Sequence, residues 1–174
     1  MINKLITKNL ILRKANINDL DSIYNNVWKD KSIADNMLWK VINTKEEARD
    51  RIKKIINYQK DNYAYFICLK KTNEAIGFAG IVEKEPNIYS EHGICIATKY
   101  QHLGYGKEVV QALINLAFKE LNGKRFIYSC FNTNEKSRKL CQSLGFKYLE
   151  SKEEIRKHDN MKYIADYYYL DNNK

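Results

Sequence analysis

The chain has 174 residues, 44% of them hydrophobic and 29% charged, which is ordinary for a soluble globular protein and excludes intrinsic disorder. One proline and seven glycines leave little material for a linker, so a single domain over residues 1–174 is expected. The 30 basic and 21 acidic residues give a net charge of +9, but they are spread along the whole chain. This pattern favours a solvated basic surface over a dedicated nucleic-acid stripe.

The first half of the chain predicts two helices and a β-hairpin. A short strand is predicted over residues 10–15 and is followed by a helix. Thr44 and Glu47 have the spacing of a capping box. The helix that this box opens carries on one face the apolar residues Ala48, Ile52, Ile55 and Ile56. Aromatic and branched residues over 63–69 and 75–82, separated by a polar turn, predict the hairpin.

A third strand is predicted over residues 88–97. Side chains alternate between the two faces of a strand, so Ile94 and Ile96 are expected on one face. The other face is then expected to carry Glu91, Gly93 and Cys95.

The rest of the chain predicts the strongest helix and the closing strands. Apolar residues over 109–121 recur at helical spacing. A strand over 125–131, a short helix over 135–144, and strands over 146–150 and 163–170 follow. The whole pattern predicts an α/β fold with a mixed, largely antiparallel, twisted sheet flanked by helices.

Neither a membrane segment nor a metal site is indicated. No run approaches the ~20 apolar residues of a membrane span, and residues 1–10 lack a secretory signal, so a cytoplasmic location is expected. The four cysteines form no Cys-x-x-Cys pair and the three histidines lack metal-ligand spacing, so no metal is expected. Cys68, Cys95 and Cys130 lie in apolar runs, which favours burial.

The most informative segment is Gln-His-Leu-Gly-Tyr-Gly-Lys at residues 101–107, between the third strand and the strongest helix. Gly104 and Gly106 allow a tight turn and a close approach of a ligand to the backbone. The amides of residues 103–107 would lie at a helix N-terminus, which suits a pyrophosphate. A glycine turn that only opens a core helix is the alternative.

Two other phosphate-binding motifs are excluded here. A Walker loop would need glycine at Gln101 and serine or threonine at Glu108. A dinucleotide fingerprint would need a glycine or alanine at Val109.

Three blocks resemble the GCN5-related N-acetyltransferase superfamily, and within it the branch of ribosomal-protein alanine N-acetyltransferases. The first is Ile-Thr-Lys-Asn-Leu-Ile-Leu-Arg-Lys-Ala at residues 6–15. The second is Glu-His-Gly-Ile-Cys-Ile at 91–96 with Tyr-Gln-His-Leu-Gly-Tyr-Gly at 100–106. The third, at 134–146, has Asn-x-x-Ser ahead of Gly-Phe. The order and spacing of the three blocks match the family, and together they span most of the chain.

The resemblance implies acetyl-CoA as cosubstrate and transfer of the acetyl group to a primary amine, on a protein N-terminus or a small molecule, by direct attack in a ternary complex. It implies central strands that splay apart and bind the pantetheine arm. In the family, the equivalent of the Ile94 N–H can polarise the thioester carbonyl. Asn134 can contact the pantetheine amide, cap the last helix, or do both. The residues implied for the cofactor are Ile94, Ile96, Gln101, Leu103, Gly104, Tyr105, Gly106, Lys107 and Asn134.

The attacking amine must lose its proton, which requires a base. Glu91, three residues before Ile94, is the candidate base, and a solvent-facing carboxylate is the alternative. His92, on the opposite strand face, is a weaker candidate. Many superfamily members have a tyrosine, the proton donor to the leaving thiolate, at the position of Cys141. Ser137, one helical turn earlier, is the better donor here, and Cys141 is expected to be a packed hydrophobe.

Other functions stay open on the sequence alone. They are an acyl-CoA sensor without turnover and a basic ribosome- or RNA-binding module, although nucleic acid is disfavoured and no membrane partner is expected. A homodimer is not excluded. The resemblance places the acceptor pocket in residues 21–40 and 159–169, whose aromatic residues could also be core residues: Trp28, Trp39, Tyr167 and Tyr168.

Overall fold

A computed structural model describes residues 2–172 of the chain and shows a single sheet of eight strands with helices on both faces. The strands are β1 (Lys4–Ile6), β2 (Leu10–Arg13), β3 (Ala64–Leu69), β4 (Ala75–Glu85), β5 (Ile88–Ile96), β6 (Arg125–Phe131), β7 (Lys147–Arg156) and β8 (Met161–Asp171). The helices are α1 (Leu20–Ile23), α2 (Lys31–Ala34), α3 (Lys45–Gln59), α4 (Tyr105–Asn115) and α5 (Glu135–Ser143). No helix within residues 2–172 is long and apolar enough to cross a membrane.

The strand order in the sheet is β1-β2-β3-β4-β5-β6-β8-β7. Every neighbouring pair is antiparallel except β5 and β6. A parallel pair needs a crossover connection, and α4 supplies it between β5 and β6. The predicted fold class, a mixed and mostly antiparallel sheet flanked by helices, is confirmed.

Two hydrophobic cores cover the two faces of the sheet. On β3, Tyr65 and Ile67 belong to one core, and Phe66 and Cys68 belong to the other, as strand alternation requires. The first core is closed by α4 and α5, and the second by α1, α2 and α3. The site described below lies where the sheet opens between these two layers.

Local sequence signals account for the helix starts. The Thr44 hydroxyl accepts a hydrogen bond from the Glu47 amide at 3.2 Å, which caps α3 as predicted. Asn16 and Asp19 form a reciprocal capping box at the first helical turn. Strand β1 and helix α2 were not predicted, since three and four residues carry too little periodic signal.

Candidate functional site

The site is built around a fork between the two parallel strands. β5 and β6 are paired only at their beginnings, and the last pair is Ser90 with Ile127. Both strands continue beyond this pair, to Ile96 and Phe131 respectively. From Glu91 onward β5 is paired with β4 alone, so one edge of its backbone has no strand partner. We call this opening the fork.

A bulge in β5 sets the side-chain directions at the fork. His92 and Gly93 together oppose Gly80 of β4, and Gly93 has a φ of +80°, where glycine is favoured. The extra residue shifts the alternation. Tyr89 has an odd number and Ile94 an even one, yet both pack against the same core. The predicted alternation holds from Ile94 to Ile96, with Ile94 and Ile96 on one core and Cys95 on the other, but it does not hold across the bulge. As a result Glu91 shares its face with Ile94 instead of with Cys95.

Glu91 is half-buried at the point where the strands part. Its carboxylate accepts a hydrogen bond from the Ser129 hydroxyl at 2.7 Å and another from the Gly93 amide at 2.7 Å. Desolvation by the surrounding protein raises the pKa of Glu91, while these two hydrogen bonds oppose the shift. A carboxyl group with a raised pKa in a cleft is suited to exchanging protons.

The start of α5 brings a second set of polar groups to the fork. The Asn134 side chain accepts a hydrogen bond from the Ser137 amide at 3.1 Å, which confirms its capping role. The Ser137 hydroxyl lies 2.6 Å from the hydroxyl of Tyr128 on β6. Tyr128 is buried, and burial raises the pKa of its phenol. Ser137 is therefore held in place by a neutral hydrogen-bonding partner that the sequence analysis did not identify.

The glycine-rich segment forms the turn before α4. Gly104 has a φ of +81° and precedes the helix without any side-chain cap, so the first amides of α4 have no side-chain partner from this residue. A Cβ atom at Gly104 would meet nothing within 4 Å, which shows that the turn is open on this side. Gly106 differs, because a Cβ there would lie 3.3 Å from Leu140 of α5. Its smallness therefore serves the contact between the two helices.

The other residues of the predicted cofactor set surround this turn. The Gln101 side chain donates a hydrogen bond to the Ile96 carbonyl at 3.0 Å and so ties the turn to the end of β5. Leu103 and Lys107 are exposed, whereas Tyr105 packs against the core. The turn thus adjoins the end of β5 through Gln101 and helix α5 through the contact at Gly106.

A cavity of about 370 Å³ lies beside the fork. We call it the fork cavity. Its inner part is lined by residues predicted for the site together with Tyr128: Glu91, Ile94, Asn134 and Ser137. Its outer part is lined by the segment after α2 and by β7 and β8, with the side chains of Met37, Glu154, Tyr163 and Tyr167.

Comparison with known proteins identifies the family. Residues 9–147 match the acetyltransferase (GNAT) domain. The chain belongs to the GNAT family. The GNAT relatives include an uncharacterized N-acetyltransferase, YnaD of Bacillus subtilis, which is 26% identical over 145 residues and 82% of each chain. The predicted family is thereby confirmed, and acetyl-CoA is the acetyl donor of this family.

Solved GNAT structures share the whole fold. An acetyltransferase from Bacillus anthracis aligns with a TM-score of 0.83 and 21% identity, over 97% of this chain and 98% of that one. RimL, a ribosomal-protein alpha-N-acetyltransferase solved in complex with coenzyme A, aligns with a TM-score of 0.81 and 18% identity, over 97% and 98% of the two chains.

Among the aromatic residues predicted for the acceptor side, Tyr167 alone lines the fork cavity of this GNAT domain within the described residues. Trp28 and Tyr168 are buried in the two cores. Trp39 packs against Phe78 and Arg51. Tyr128 and Glu154 line the cavity and were not predicted for the site, whereas Tyr163 lies within the predicted acceptor range 159–169 but was not singled out. Glu154 and Tyr163 face each other across β7 and β8, a pairing that the sequence alone does not reveal.

Cys141 and His92 were the other residues considered in the sequence analysis. Cys141 has no exposed surface, and burial raises the pKa of its thiol to about 12, which confirms it as a packed hydrophobe. His92 is exposed and stacks beside Tyr58 of α3, with 5.9 Å between the ring centroids. Within residues 2–172 no group of histidine, cysteine and acidic side chains could hold a metal ion.

A buried arginine fixes the outer wall of the fork cavity. Arg156 of β7 forms an ion pair with Asp159 at 2.6 Å. Its guanidinium also donates to the carbonyls of Asp35 and Met37 at 3.3 and 3.4 Å. The segment after α2 is thereby attached to the β7–β8 hairpin, and the two halves of the wall are held together.

The raised pKa of Glu91 predicts a pH-dependent effect of Glu91→Gln on stability. The native protein binds this proton more tightly than the unfolded chain, so the wild type loses stability as the pH rises above the ordinary glutamate value. The glutamine variant does not titrate. The free energy of unfolding of the variant should therefore rise relative to that of the wild type as the pH is raised from about 4 to about 7. Urea denaturation at the two pH values measures this difference.

The matched control is Glu135→Gln. Lys139 lowers the pKa of Glu135, so this variant should lose stability relative to wild type over the same interval. A Glu91→Gln effect that is the same at both pH values would contradict the assignment.

Proposed function

We propose that this protein transfers the acetyl group of acetyl-CoA to a primary amine, on a small molecule or a protein N-terminus, by direct attack in a ternary complex. The observation that supports the proposal is the fork, because Glu91 and Ser137 both line the cavity beside it. The two groups can remove a proton from an amine and deliver one to a leaving thiolate. Family membership and the N-acetyltransferase relative support this reaction.

The cleft fits an acyl-CoA molecule in shape and charge. The unpaired edge of β5 offers backbone groups of Ile94 and Ile96 to an extended amide chain such as pantetheine. The turn at Gly104 offers the uncapped start of α4 to a pyrophosphate. Lys107 and Lys136 are exposed beside it, and the ammonium of Lys136 lies 3.5 Å from His102 of the turn. We assign the remaining contacts to Gln101, Leu103, Tyr105, Gly106 and Asn134.

Bound acetyl-CoA supplies the acetyl group as a thioester, which is open to attack by an amine. The backbone of Ile94 can orient the thioester carbonyl with its N–H and stabilise negative charge on that oxygen. Glu91 lies on the same strand face three residues earlier and accepts the proton of the amine, directly or through water. Ser137 donates a hydrogen bond to the departing sulfur, while Tyr128 orients the serine hydroxyl.

Replacement of Gly104 tests the cofactor site. Gly104→Val places a branched side chain where the backbone must approach the pyrophosphate, so affinity for acetyl-CoA should fall about tenfold or more in calorimetry. Gly145→Val is the matched control, since Gly145 also has a positive φ, of +87°, but ends α5 away from the turn. Both variants should lose stability, but only the first should lose affinity. Unchanged affinity in Gly104→Val would show that CoA binds elsewhere.

Replacement of Glu91 tests the base. The rate of acetyl transfer by Glu91→Gln should be reduced most at neutral pH and least at high pH, where more of the amine is already deprotonated. The measurement is the pH profile of kcat/KM for one amine in the wild type and the variant. Profiles of the same shape would remove Glu91 from the mechanism.

Replacement of Ser137 tests the proton donor, with Cys141 as its control one helical turn away. Ser137→Ala should lower kcat about a hundredfold or less, at the weak end of general acid effects, with little change in acetyl-CoA affinity. Cys141→Ala should keep its activity and lose some stability, because it removes a buried sulfur atom. A folded but inactive Cys141→Ala would reverse the assignment.

A further inference from the structure

The outer half of the fork cavity contains a carboxylate that the transfer step does not use. Glu154 of β7 lies opposite Tyr163 of β8. One of its oxygens accepts a hydrogen bond from the Tyr163 hydroxyl at 2.7 Å, and the other accepts from the Tyr167 hydroxyl. Each carboxylate oxygen can accept two hydrogen bonds, so each retains capacity for a further donor.

The charge of Glu154 is not neutralised by a neighbouring cation. Of the described residues, no lysine, arginine or histidine has a nitrogen within 4.0 Å of this carboxylate. The basic residues on either side of it in β7 pair with other carboxylates, Lys152 with Glu150 at 2.7 Å and Arg156 with Asp159 at 2.6 Å. The Lys152 ammonium also lies 5.4 Å from the centre of the Tyr167 ring. Lys84 also lines the cavity, and it is exposed to solvent.

The surroundings of Glu154 suit an ammonium group. Phe131 and Tyr163 stack with 4.4 Å between ring centroids, and both line the cavity. Aromatic faces attract cations, and the two phenol hydroxyls can orient the carboxylate. The protein as a whole carries a net charge of +9, so its overall field repels cations. Any preference for a cationic ligand must therefore arise from these local groups.

Glu154 is connected to Glu91 by a short series of contacts. Ser129 donates a hydrogen bond to Glu91 at 2.7 Å and lies directly opposite Tyr167 in the pairing of β6 with β8. Residues opposite each other in an antiparallel pair have Cβ atoms about 5 Å apart. Tyr167 itself contacts Glu154, so this series of contacts joins the two carboxylates within one cavity.

We propose that the fork cavity accepts a small aliphatic diamine, with the reacting amine at Glu91 and the second, charged amine bound to Glu154 beside the aromatic rings. This inference rests on the proposed function and specifies its acceptor. An acceptor ending in a carboxylate would be repelled by Glu154, and one with an apolar end would desolvate that carboxylate without providing a donor. The cavity size suits a molecule of this class.

The test compares matched ligands in equilibrium binding to the CoA-saturated protein. Putrescine is measured against n-butylamine and γ-aminobutyrate, and cadaverine against n-pentylamine and δ-aminovalerate, so that the distal group alone differs. At least one diamine should bind about tenfold or more tightly than its monoamine, and the amino acids should bind most weakly. Diamines that bind no better than their monoamines would overturn the proposal.

Variants of Glu154 and Glu153 test whether the preference for diamines comes from Glu154. Glu154→Gln should reduce the ratio of diamine to monoamine affinity to about one, whereas a purely structural role would weaken both amines equally and leave the ratio unchanged. Glu153→Gln is the matched control, because Glu153 is exposed on the same strand and pairs with Lys162 at 3.0 Å. The ratio should persist in that control, and its loss there would also count against the proposal.

A measurement of acetyl transfer to the same six compounds distinguishes failure of the diamine site from failure of the proposed reaction. Diamine-selective binding without transfer would leave the diamine site standing and remove the proposed reaction. Transfer to all amines without any diamine preference in binding would leave the reaction standing and remove the diamine site.

Discussion

The separation of β5 from β6 is the constraint on which the rest of the site depends. A parallel pair inside an otherwise antiparallel sheet requires a crossover, and the crossover helix α4 begins only a few residues after β5 ends. The N-terminus of α4 is therefore fixed beside the open edge of β5. Backbone groups inside a protein need partners, so an edge left open in mid-sheet is a place where a ligand chain can supply them. The separation of β5 from β6 thus accounts for both the open edge of β5 and the position of the α4 N-terminus.

The bulge at Gly93 explains how a charged residue can lie at this opening. Without the extra residue, Glu91 and Ile94 would be on opposite faces of the strand, away from the arrangement that the proposed reaction uses. The same bulge presents the Gly93 amide to Glu91, and this hydrogen bond offsets part of the desolvation of the carboxylate. Local backbone geometry therefore both directs the side chain and reduces the energetic penalty of burying it.

Much of the fold could be predicted because its signals are local. The strand over 125–131 has the predicted bounds, and α3 buries the predicted face. The strand β7 extends to Arg156, beyond the predicted end, because most of its residues are exposed and give no clear alternation. The bulge could not be located either, since a glycine in a strand permits a bulge without requiring one.

The candidate site was predictable to the extent that its residues lie in one continuous motif. Asn134 and Ser137 share a helix start, and the turn at Gly104 is a local feature. Tyr128 and Glu154 reach the cavity through pairing between distant strands, which no short motif records. The residues proposed to contact the acceptor are of this second kind, and this is why family resemblance indicated the reaction before it indicated the acceptor.

The two carboxylates of the cavity show how one fold can separate two tasks. Glu91 is desolvated where the strands part, and desolvation favours its protonated form, which suits a group that must take up a proton and release it. Glu154 instead receives two phenol hydroxyls, and burial together with its negative charge raises the pKa of Tyr163 and Tyr167, so these phenols remain donors. In the proposed reaction, proton transfer belongs to Glu91 at the fork and recognition of the second amine to Glu154, because the sheet supplies a different environment at each.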